Sequence, residues 1–530
     1  MPRKIPRLVW LAAPLAYFLY FYRLGAVGMI GPDEPRYAAI GRAMARSGDW
    51  ITPRLWGHPW FEKPPLLYWM TGAAFDLGLG PDLAPRLPVA ILALAFLVFF
   101  WWIVRREFGA RAAWCAALIL GTCGEWLGYS QVGVTDIPMA VTFSAAMLLL
   151  LPWIARGETK FVPLAGALLG VAVLAKGLVP IALAAPAIPV ICWRKRKKNR
   201  IAPGATGFAP TQKNGVEGPP PGPNTRPLLG AAALFLIIAA PWYLLCYLRN
   251  GSSFLNDFFW KQHFSRVVSG ALMHGQPWWF YLPVFLGAFL PWSPLLPLLF
   301  KPAGYRDTRR VFLLLWLLFG LGFFSVSINK LPGYVVPLLP AAALLAALGL
   351  DGAPRAGAWL AVCAALLLAF PVAAQVLPAA LALGLSKASH PGFRWWWLVL
   401  GGVMAASWLL EQRGRRVAAV ACIAAGAAAG VVYLKQTTLP EVDRVASARD
   451  LWRAIAGRAS DVCVDGLDRD WLYGLNYYSV DPLPECSIRP RPLRLRPSPG
   501  GPPVIAALGD SGNATVDPVS PNVVPSPFRN

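Results

Sequence analysis

The sequence is poor in charge, and that scarcity excludes an ordinary soluble protein. Only 14% of its 530 residues are Asp, Glu, Lys or Arg, whereas 56% are hydrophobic and the mean hydropathy is +0.50. A soluble domain of this composition would expose large apolar patches and aggregate, whereas a lipid-facing surface requires such a composition. The chain is therefore predicted to be an all-α polytopic membrane protein.

Acidic residues are scarcer than basic ones, with 26 against 49 and a net charge of +23. In a soluble protein this excess would point to nucleic acid, but here the basic residues lie mainly in short loops between apolar runs, so no nucleic-acid partner is predicted. A Gly-rich phosphate loop is also lacking, and no nucleotide cofactor is expected.

Apolar runs of spanning length are abundant, and about thirteen transmembrane helices are predicted. The runs lie at 7–28, 83–104, 111–128, 133–154, 160–175, 177–193, 228–248, 278–300, 310–328, 331–350, 356–376, 395–410 and 416–434. Basic loops place the N-terminus inside, and the same alternation places 29–82, 249–277 and the C-terminal tail outside. The first run is interpreted as an uncleaved anchor rather than a signal peptide.

Three regions differ from the predicted transmembrane domain, 1–434. The basic and Pro-rich loop 194–227 is predicted to be disordered and cytoplasmic; its basic cluster is either a topogenic signal or a phospholipid contact. Segment 435–509 reads as a small external α/β domain with an amphipathic helix, a short strand and a second helix or turn. Residues 510–530 form a predicted disordered tail.

Cysteine is limited to eight residues, six of which lie in or beside apolar runs, where a thiol behaves as a small apolar group. Only Cys463 and Cys486 occupy the external tail. An oxidising compartment would permit a disulfide between them, and two free thiols are the alternative.

Segment 31–65 contains several charged residues and prolines and is the strongest candidate for a reaction site. Charged residues beside a membrane span are rare and usually functional. Asp33 and Glu34 precede a helix that Pro35 is expected to start. The positive end of that helix would favour ionised carboxylates and leave Asp33 available as a base; the alternative is that both acids only cap the helix.

The motif WFEKPP forms a second piece, in which two prolines forbid a helix. Glu62 and Lys63 are expected to project to opposite sides of an extended chain. A surface ion pair is the plain alternative, but the surrounding aromatics indicate burial at headgroup level, where a cation suits a lipid phosphate.

Two further charges interrupt apolar runs near the outer face. Asp136 is either a helix cap or a carboxylate facing a polar cavity, and Lys176 is either topological punctuation or a substrate contact. Lys330 and Tyr334 lie at the outer mouth of the tenth run. In FFWKQHFSRVVSG, His263 and Arg266 would share a helical face, and the external position of all four histidines permits a metal site without requiring one.

The ordered set DEPRY, FEKPP, the pair Thr135-Asp136, HFSR and NKLPGYVVP resembles the bacterial glycosyltransferases related to protein O-mannosyltransferases, with the lipid A aminoarabinose transferases nearest in pattern. The similarity covers roughly residues 1–350. It implies the glycosyltransferase C fold and inverting transfer of a sugar from a polyprenyl-phosphate donor, at the outer face of the bacterial cytoplasmic membrane. The acceptor would be a lipid A-like glycolipid, a glycan or a protein.

The resemblance also implies roles for individual residues. Asp33 would be the catalytic carboxylate and Asp136 a second acid of the site. The remaining roles are contacts to the donor phosphate (Lys63, Arg36, Arg266, Lys330, Tyr334), the substrate cavity (Glu34, Tyr37, Lys176) and a divalent metal (Glu62, His263).

A transporter or flippase of lipid-linked glycans is the alternative from a different class, since it would also be polytopic and cationic near the headgroups. It predicts polar residues spread through the bilayer midplane. In this sequence the charged motifs gather on one face instead, which favours the transferase.

Overall fold

The computed structural model describes residues 7–190, 226–265, 275–300, 302–354, 356–388, 390–498 and 500–507. The loop predicted at 194–227 lies outside these residues except for its last two positions, which begin a helix at Arg226. The tail predicted at 510–530 and residue Arg266 also lie outside them.

Within the described residues, seven helices are long and apolar enough to cross a membrane. They are Leu87–Phe108, Asp136–Arg156, Arg226–Trp260, Thr308–Val326, Pro332–Asp351, Gly357–Leu383 and Arg416–Thr437. The pair Trp278–Ala288 and Ser293–Phe300 adds an eighth if a span bent by 113° is counted. The prediction of a polytopic helical membrane protein is confirmed.

Shorter apolar helices account for most of the remaining predicted spans. They are Ala12–Phe21, Ala110–Gly121, Val162–Lys176 and Val179–Val190, and the helix Val399–Gln412 follows the same pattern. All thirteen predicted runs coincide with helical structure, but several of these helices are interrupted or short, so the number of crossings stays a prediction. Proline contributes to the interruptions, because it removes a backbone donor and restricts the preceding residue.

The central helices of the bundle are buried by other helices, whereas the outer helices expose apolar side chains. Helices Asp136–Arg156 and Pro332–Asp351 are almost wholly buried, whereas Arg226–Trp260 exposes most of its leucines and isoleucines. Apolar surface of that extent on the outer helices is what a hydrocarbon environment requires.

Two helices and a hairpin follow the first apolar helix, Ala12–Phe21. The Asp33 helix (Asp33–Ser47) crosses the helix Leu66–Asp76, and a two-stranded hairpin, Arg54–Leu55 with His58–Pro59, lies between them in sequence. The two helices approach closely at Gly41, where an added Cβ would lie only 2.7 Å from the Cβ of Thr71. A larger residue at that crossing would separate the helices.

The C-terminal segment (Leu439–Ala507) contains helices and one mixed sheet. Its helices are Leu439–Ala446, Ala448–Ile455 and Arg469–Ser479, the last of which we call the tail helix. Strand Val462–Val464 runs parallel to Leu493–Ser498, which in turn pairs antiparallel with Gly501–Ala507. Cys463 and Cys486 are joined by a disulfide with a Cα–Cα distance of 5.0 Å.

The predicted helix–strand–helix order matches this segment, but the last two strands were not predicted. Their sequence is rich in arginine and proline, which hides the alternation of Leu493 and Leu495 with Arg494 and Arg496. Leu495 is buried in the small core beneath the sheet, while both arginines turn toward Asp465 at 3.4 Å. A period of two was therefore present in LRLR.

Candidate active site

Asp33 occupies the first turn of its helix, and its side chain is 50% exposed. The helix begins at Asp33 itself, two residues earlier than expected from Pro35, and no side chain caps its N-terminus. Oδ1 of Asp33 accepts a hydrogen bond from the Arg36 guanidinium at 2.5 Å. The carboxylate is thus held by a cation and remains accessible to solvent.

Arg36 links Asp33 to a second acid. Its guanidinium lies 3.0 Å from Oε2 of Glu62, and its side chain is only 11% exposed. Burial alone would lower the pKa of Arg36, but Glu62, Tyr37 and Asp33 act in the opposite direction and the pKa is raised overall. Arg36 therefore stays cationic in a site that largely excludes water.

Glu62 and Lys63 meet each other, contrary to the prediction that they point to opposite sides. Nζ of Lys63 lies 3.3 Å from Oε1 of Glu62. The chain bends at these two residues before Pro64 instead of running extended, so consecutive side chains can converge. The indole N–H of Trp60 also donates to Glu62, at 3.3 Å.

Asp136 and Lys176 form the second charged pair of the site. Nζ of Lys176 lies 2.6 Å from Oδ1 of Asp136, and the two side chains are 12% and 13% exposed. Asp136 opens the helix Asp136–Leu149 without capping it, and Lys176 closes the helix Val162–Lys176. The ammonium group also lies over the ring of Tyr334, 5.0 Å from its centroid.

A cavity of about 590 Å³ lies between the charged groups and the apolar bundle, and Asp33, Arg36 and Asp136 are not among the residues of its wall. Glu62, Lys63, Lys176 and Tyr334 contribute polar groups to its wall, which continues along Thr308–Val326 and is otherwise mainly apolar. The aromatic and aliphatic part of the wall is formed by Met139, Val179, Phe258, Phe319, Phe323, Phe324 and Val326. A cavity with cations among its polar groups and a long apolar wall fits a lipid with an anionic headgroup.

Glu34 does not join this cavity. Its carboxylate is 2% exposed and accepts two hydrogen bonds from Arg86, at 2.7 and 2.6 Å, and one from the backbone N–H of Gly133 at 2.8 Å. Arg86 also donates to the carbonyl of Gly28 at 2.9 Å. The Glu34–Arg86 ion pair therefore stabilises the loop that leads to Asp33 and does not contact a ligand in the cavity.

Tyr37 and Lys330 also lie behind the cavity surface. Tyr37 is buried with its ring 5.2 Å from the Arg36 guanidinium, and burial raises the pKa of its hydroxyl well above the ordinary value. Nζ of Lys330 donates to the carbonyls of Gln276, at 3.0 Å, and of Ser327. Lys330 thus stabilises the turn that brings Tyr334 to the cavity.

The predicted metal site fits the described geometry poorly. Glu62 already contacts two cations, Arg36 and Lys63, which weakens it as a ligand for a third. The side chain of His263 lies outside the described residues, and among those described no group of three or more His, Cys, Asp or Glu side chains could hold a metal.

Sequence reasoning missed several residues around Asp136. A Cβ on Gly333 would lie 2.5 Å from the Tyr129 hydroxyl and 2.7 Å from Oδ1 of Asp136, so only glycine fits there without displacement. Both carboxyl oxygens of Glu125 are buried and lack a hydrogen-bond partner among the described residues. Glu125 and Tyr129 are four apart on one short helix, Gly124–Tyr129, a spacing that could have marked them.

The C-terminal segment also reaches the site, and no local pattern around Asp33 or Trp56 predicts this contact. Tyr473 of the tail helix packs against Trp56 with ring centroids 5.2 Å apart and lies 5.9 Å from the Arg36 guanidinium. Behind it, Asp443 accepts a hydrogen bond from the N–H of Gly28 at 2.8 Å, and the Tyr478 hydroxyl accepts one from Met29 at 2.9 Å. The segment thus supports the loop before Asp33.

Comparison with known proteins gives a consistent result. The family model for dolichyl-phosphate-mannose-protein mannosyltransferases matches residues 62–206. The undecaprenyl phosphate-alpha-4-amino-4-deoxy-L-arabinose arabinosyl transferase of Pseudomonas aeruginosa strain UCBPP-PA14 is 32% identical over 355 residues, covering 64% of this chain and 59% of the relative. A corresponding transferase of Pseudomonas fluorescens strain Pf-5 is 33% identical over 352 residues, covering 63% and 54%.

A solved structure matches over a larger share of the chain. The crystal structure of ArnT from Cupriavidus metallidurans bound to undecaprenyl phosphate superposes with a TM-score of 0.72 at 29% identity, covering 90% of this chain and 85% of that one. The chain spans less than two thirds of the curated relatives it matches. The resemblance predicted from the ordered motifs is confirmed, and the overall architecture is that of the solved ArnT structure.

Proposed function

We propose that the chain is an integral-membrane glycosyltransferase that moves a sugar from a polyprenyl-phosphate donor to an envelope acceptor by inverting transfer. The observation that carries this proposal is the cavity that combines Lys63 and Lys176 with a long apolar wall and is linked, through Glu62 and Arg36, to the half-exposed carboxylate of Asp33. By similarity to the relatives, the first donor to test is undecaprenyl-phosphate aminoarabinose. The resemblance of the motifs to lipid A aminoarabinose transferases makes lipid A the first acceptor to test.

The cations have the properties needed to stabilise the leaving group. In the transfer, the bond between the anomeric carbon and the phosphate oxygen breaks, and its electron pair leaves with the polyprenyl phosphate. Lys63 and Lys176 line the cavity where that charge would develop, and Arg36 lies behind Glu62. Cations already fixed in a poorly hydrated site stabilise such charge without reorganisation. Tyr334 and Arg266 stay proposed donor contacts, whereas Lys330 is proposed to act indirectly through the turn that it stabilises.

Asp33 has the exposure expected of the group that meets the acceptor. The acceptor oxygen bonds to the anomeric carbon from the face opposite the phosphate, and its proton passes to the Asp33 carboxylate. Asp136 is proposed to accept a hydrogen bond from the donor sugar while Lys176 balances its charge. A divalent metal at Glu62 and His263 stays an untested prediction, and no step of this scheme depends on it.

The finer topology is part of the same proposal. We place about thirteen crossings in 1–434, with the N-terminus cytoplasmic and the loops 29–82 and 249–277 on the periplasmic side of a bacterial inner membrane. The sheet and helices within 435–509 would then form a small periplasmic domain. This placement is supported by the contacts of the tail helix, because Tyr473 and Asp33 approach the same residue, Arg36.

One assay separates a transferase from a flippase. The full chain is reconstituted into vesicles with undecaprenyl phosphate carrying radiolabelled aminoarabinose, and lipid A is added as the acceptor. A transferase moves the label onto lipid A and releases undecaprenyl phosphate, whereas a flippase leaves the label on the polyprenyl carrier and only changes its leaflet. Label that stays on the carrier with every glycolipid, glycan and protein acceptor supplied would refute the proposal.

A further inference from the structure

Three aromatic residues, which we call the aromatic rim, lie around Arg36. They are Trp56, Trp60 and Tyr473, all of which are partly exposed. The rings of Trp60 and Tyr473 lie 5.7 and 5.9 Å from the Arg36 guanidinium, and Trp56 packs against Tyr473. None of the three lines the donor-type cavity. The rim therefore adjoins the cavity without lining it, because Trp60 contacts Glu62 and Glu62 belongs to the cavity wall.

The backbone under the rim is unusual at Trp56. The hairpin that carries it has a two-residue turn, Trp56-Gly57, with φ of +49° and +85°. Both central positions of such a turn favour glycine or asparagine, since a positive φ brings the Cβ of other residues too close to the backbone. Strain of this kind persists where the surrounding structure holds it, commonly at ligand sites.

Trp56 also has an unsatisfied polar group. Its indole N–H is buried and has no hydrogen-bond partner among the described residues. A tryptophan normally finds a partner for this donor when the ring is buried. Packing against Tyr473 and the main core accounts for the buried part of the ring but not for a tryptophan at a strained turn position, whereas a ligand that covers the exposed part of the ring would explain it.

The groups beside the rim define what could bind there. Asp33 is half-exposed next to Arg36. Asp470 lies in the first turn of the tail helix, close enough for its carboxyl to interact with the charge of Asp33. Burial, together with the charges of Asp468 and Asp33, raises the pKa of Asp470. Aromatic faces with hydroxyl-accepting carboxylates at their edge suit a carbohydrate ring, because the rings cover its C–H face and the carboxylates accept its hydroxyl hydrogens.

We propose that Trp56, Trp60 and Tyr473 form a carbohydrate subsite for the sugar ring of the acceptor. This inference rests on the proposed function and specifies where its acceptor binds. The donor phosphate is assigned to the cavity itself, which Lys63 and Lys176 line and the three rim residues do not. An acceptor bound at the rim would place its hydroxyl beside Asp33, and the C-terminal segment would thereby complete the active site.

Tyr473→Ala tests this subsite, and Tyr473→Phe is the matched control because it keeps the ring. Both full-length variants are assayed with undecaprenyl-phosphate aminoarabinose as donor and lipid A as acceptor, and each substrate is varied separately. We expect Tyr473→Ala to raise the KM for lipid A by about five- to tenfold, the effect of one lost ring contact, with the donor KM unchanged. Tyr473→Phe should match the unaltered chain.

The outcomes separate the subsite from its alternatives. A higher donor KM with an unchanged lipid A KM would mean that the rim holds the donor sugar, which would overturn the acceptor assignment. Unchanged values for both substrates in Tyr473→Ala and in Trp56→Ala would overturn the subsite itself. Binding of undecaprenyl phosphate by each variant establishes that the protein is folded, and absence of transfer by the unaltered chain counts against the proposed function instead.

Discussion

Nζ of Lys176 lies 2.6 Å from Oδ1 of Asp136, although the two residues end and begin different helices and are forty positions apart. The same ammonium group lies over the ring of Tyr334 and lines the cavity proposed for the donor. Lys176 thus neutralises a mostly buried carboxylate. From the same position it can also contact the phosphate of a donor that enters the cavity.

The Asp136–Lys176 pair is expected to show strong energetic coupling. Lys176→Met leaves the Asp136 carboxylate without its cation and should lower the free energy of unfolding by about 3 kcal/mol. Asp136→Asn in the same chain should recover part of that loss, because the unpaired charge is then absent. Thermal unfolding of the two single variants and the double variant in detergent measures the coupling, and strictly additive losses would contradict the ion pair.

Gly333 is expected to tolerate no side chain. A Cβ there would lie 2.5 Å from the Tyr129 hydroxyl and 2.7 Å from Asp136, so Gly333→Ala should displace both and cost about 1–3 kcal/mol of stability. Gly287→Ala is the control, because a Cβ at that helical glycine meets nothing within 4 Å. Equal melting temperatures for the two variants would show that the packing around Asp136 is looser than described.

Glu34 is expected to have a structural role and not to contact the substrate. Since Glu34 accepts hydrogen bonds from Arg86 and from the N–H of Gly133, Glu34→Gln should leave Arg86 without a charge partner and reduce stability by about 3 kcal/mol. The donor KM of the folded variant should not change. A raised donor KM with normal thermal stability would show instead that Glu34 contacts the donor, as predicted from the sequence.

Much of the fold could be predicted because spans and motifs are local signals. Twenty or so apolar residues, a basic loop or the run DEPRY carry their meaning within a short window, which is why every predicted span coincides with helical structure. The ordering of the external motifs also indicated that Asp33, Lys63 and Asp136 share one face of the membrane.

The errors arose where a distant partner decides the outcome. Glu34 lies next to Asp33 in the sequence, but its carboxylate is hydrogen-bonded by Arg86, fifty-two residues away, and therefore does not reach the cavity. Nothing near position 56 indicates that Tyr473 will pack on it from the tail helix. The strand Leu493–Ser498 was missed for a different reason, since its arginines and prolines concealed an alternating pattern whose inward residue, Leu495, is buried.

Single-turnover transfer by Asp33→Asn tests the central claim most directly. The variant and its control Asp76→Asn, which alters an exposed carboxylate at the end of the helix Leu66–Asp76, are loaded with undecaprenyl phosphate carrying radiolabelled aminoarabinose and mixed with lipid A. We predict that Asp33→Asn retains the donor but transfers no label, because the acceptor proton has no carboxylate to receive it, while Asp76→Asn transfers at the normal rate. Full transfer by Asp33→Asn would contradict the account.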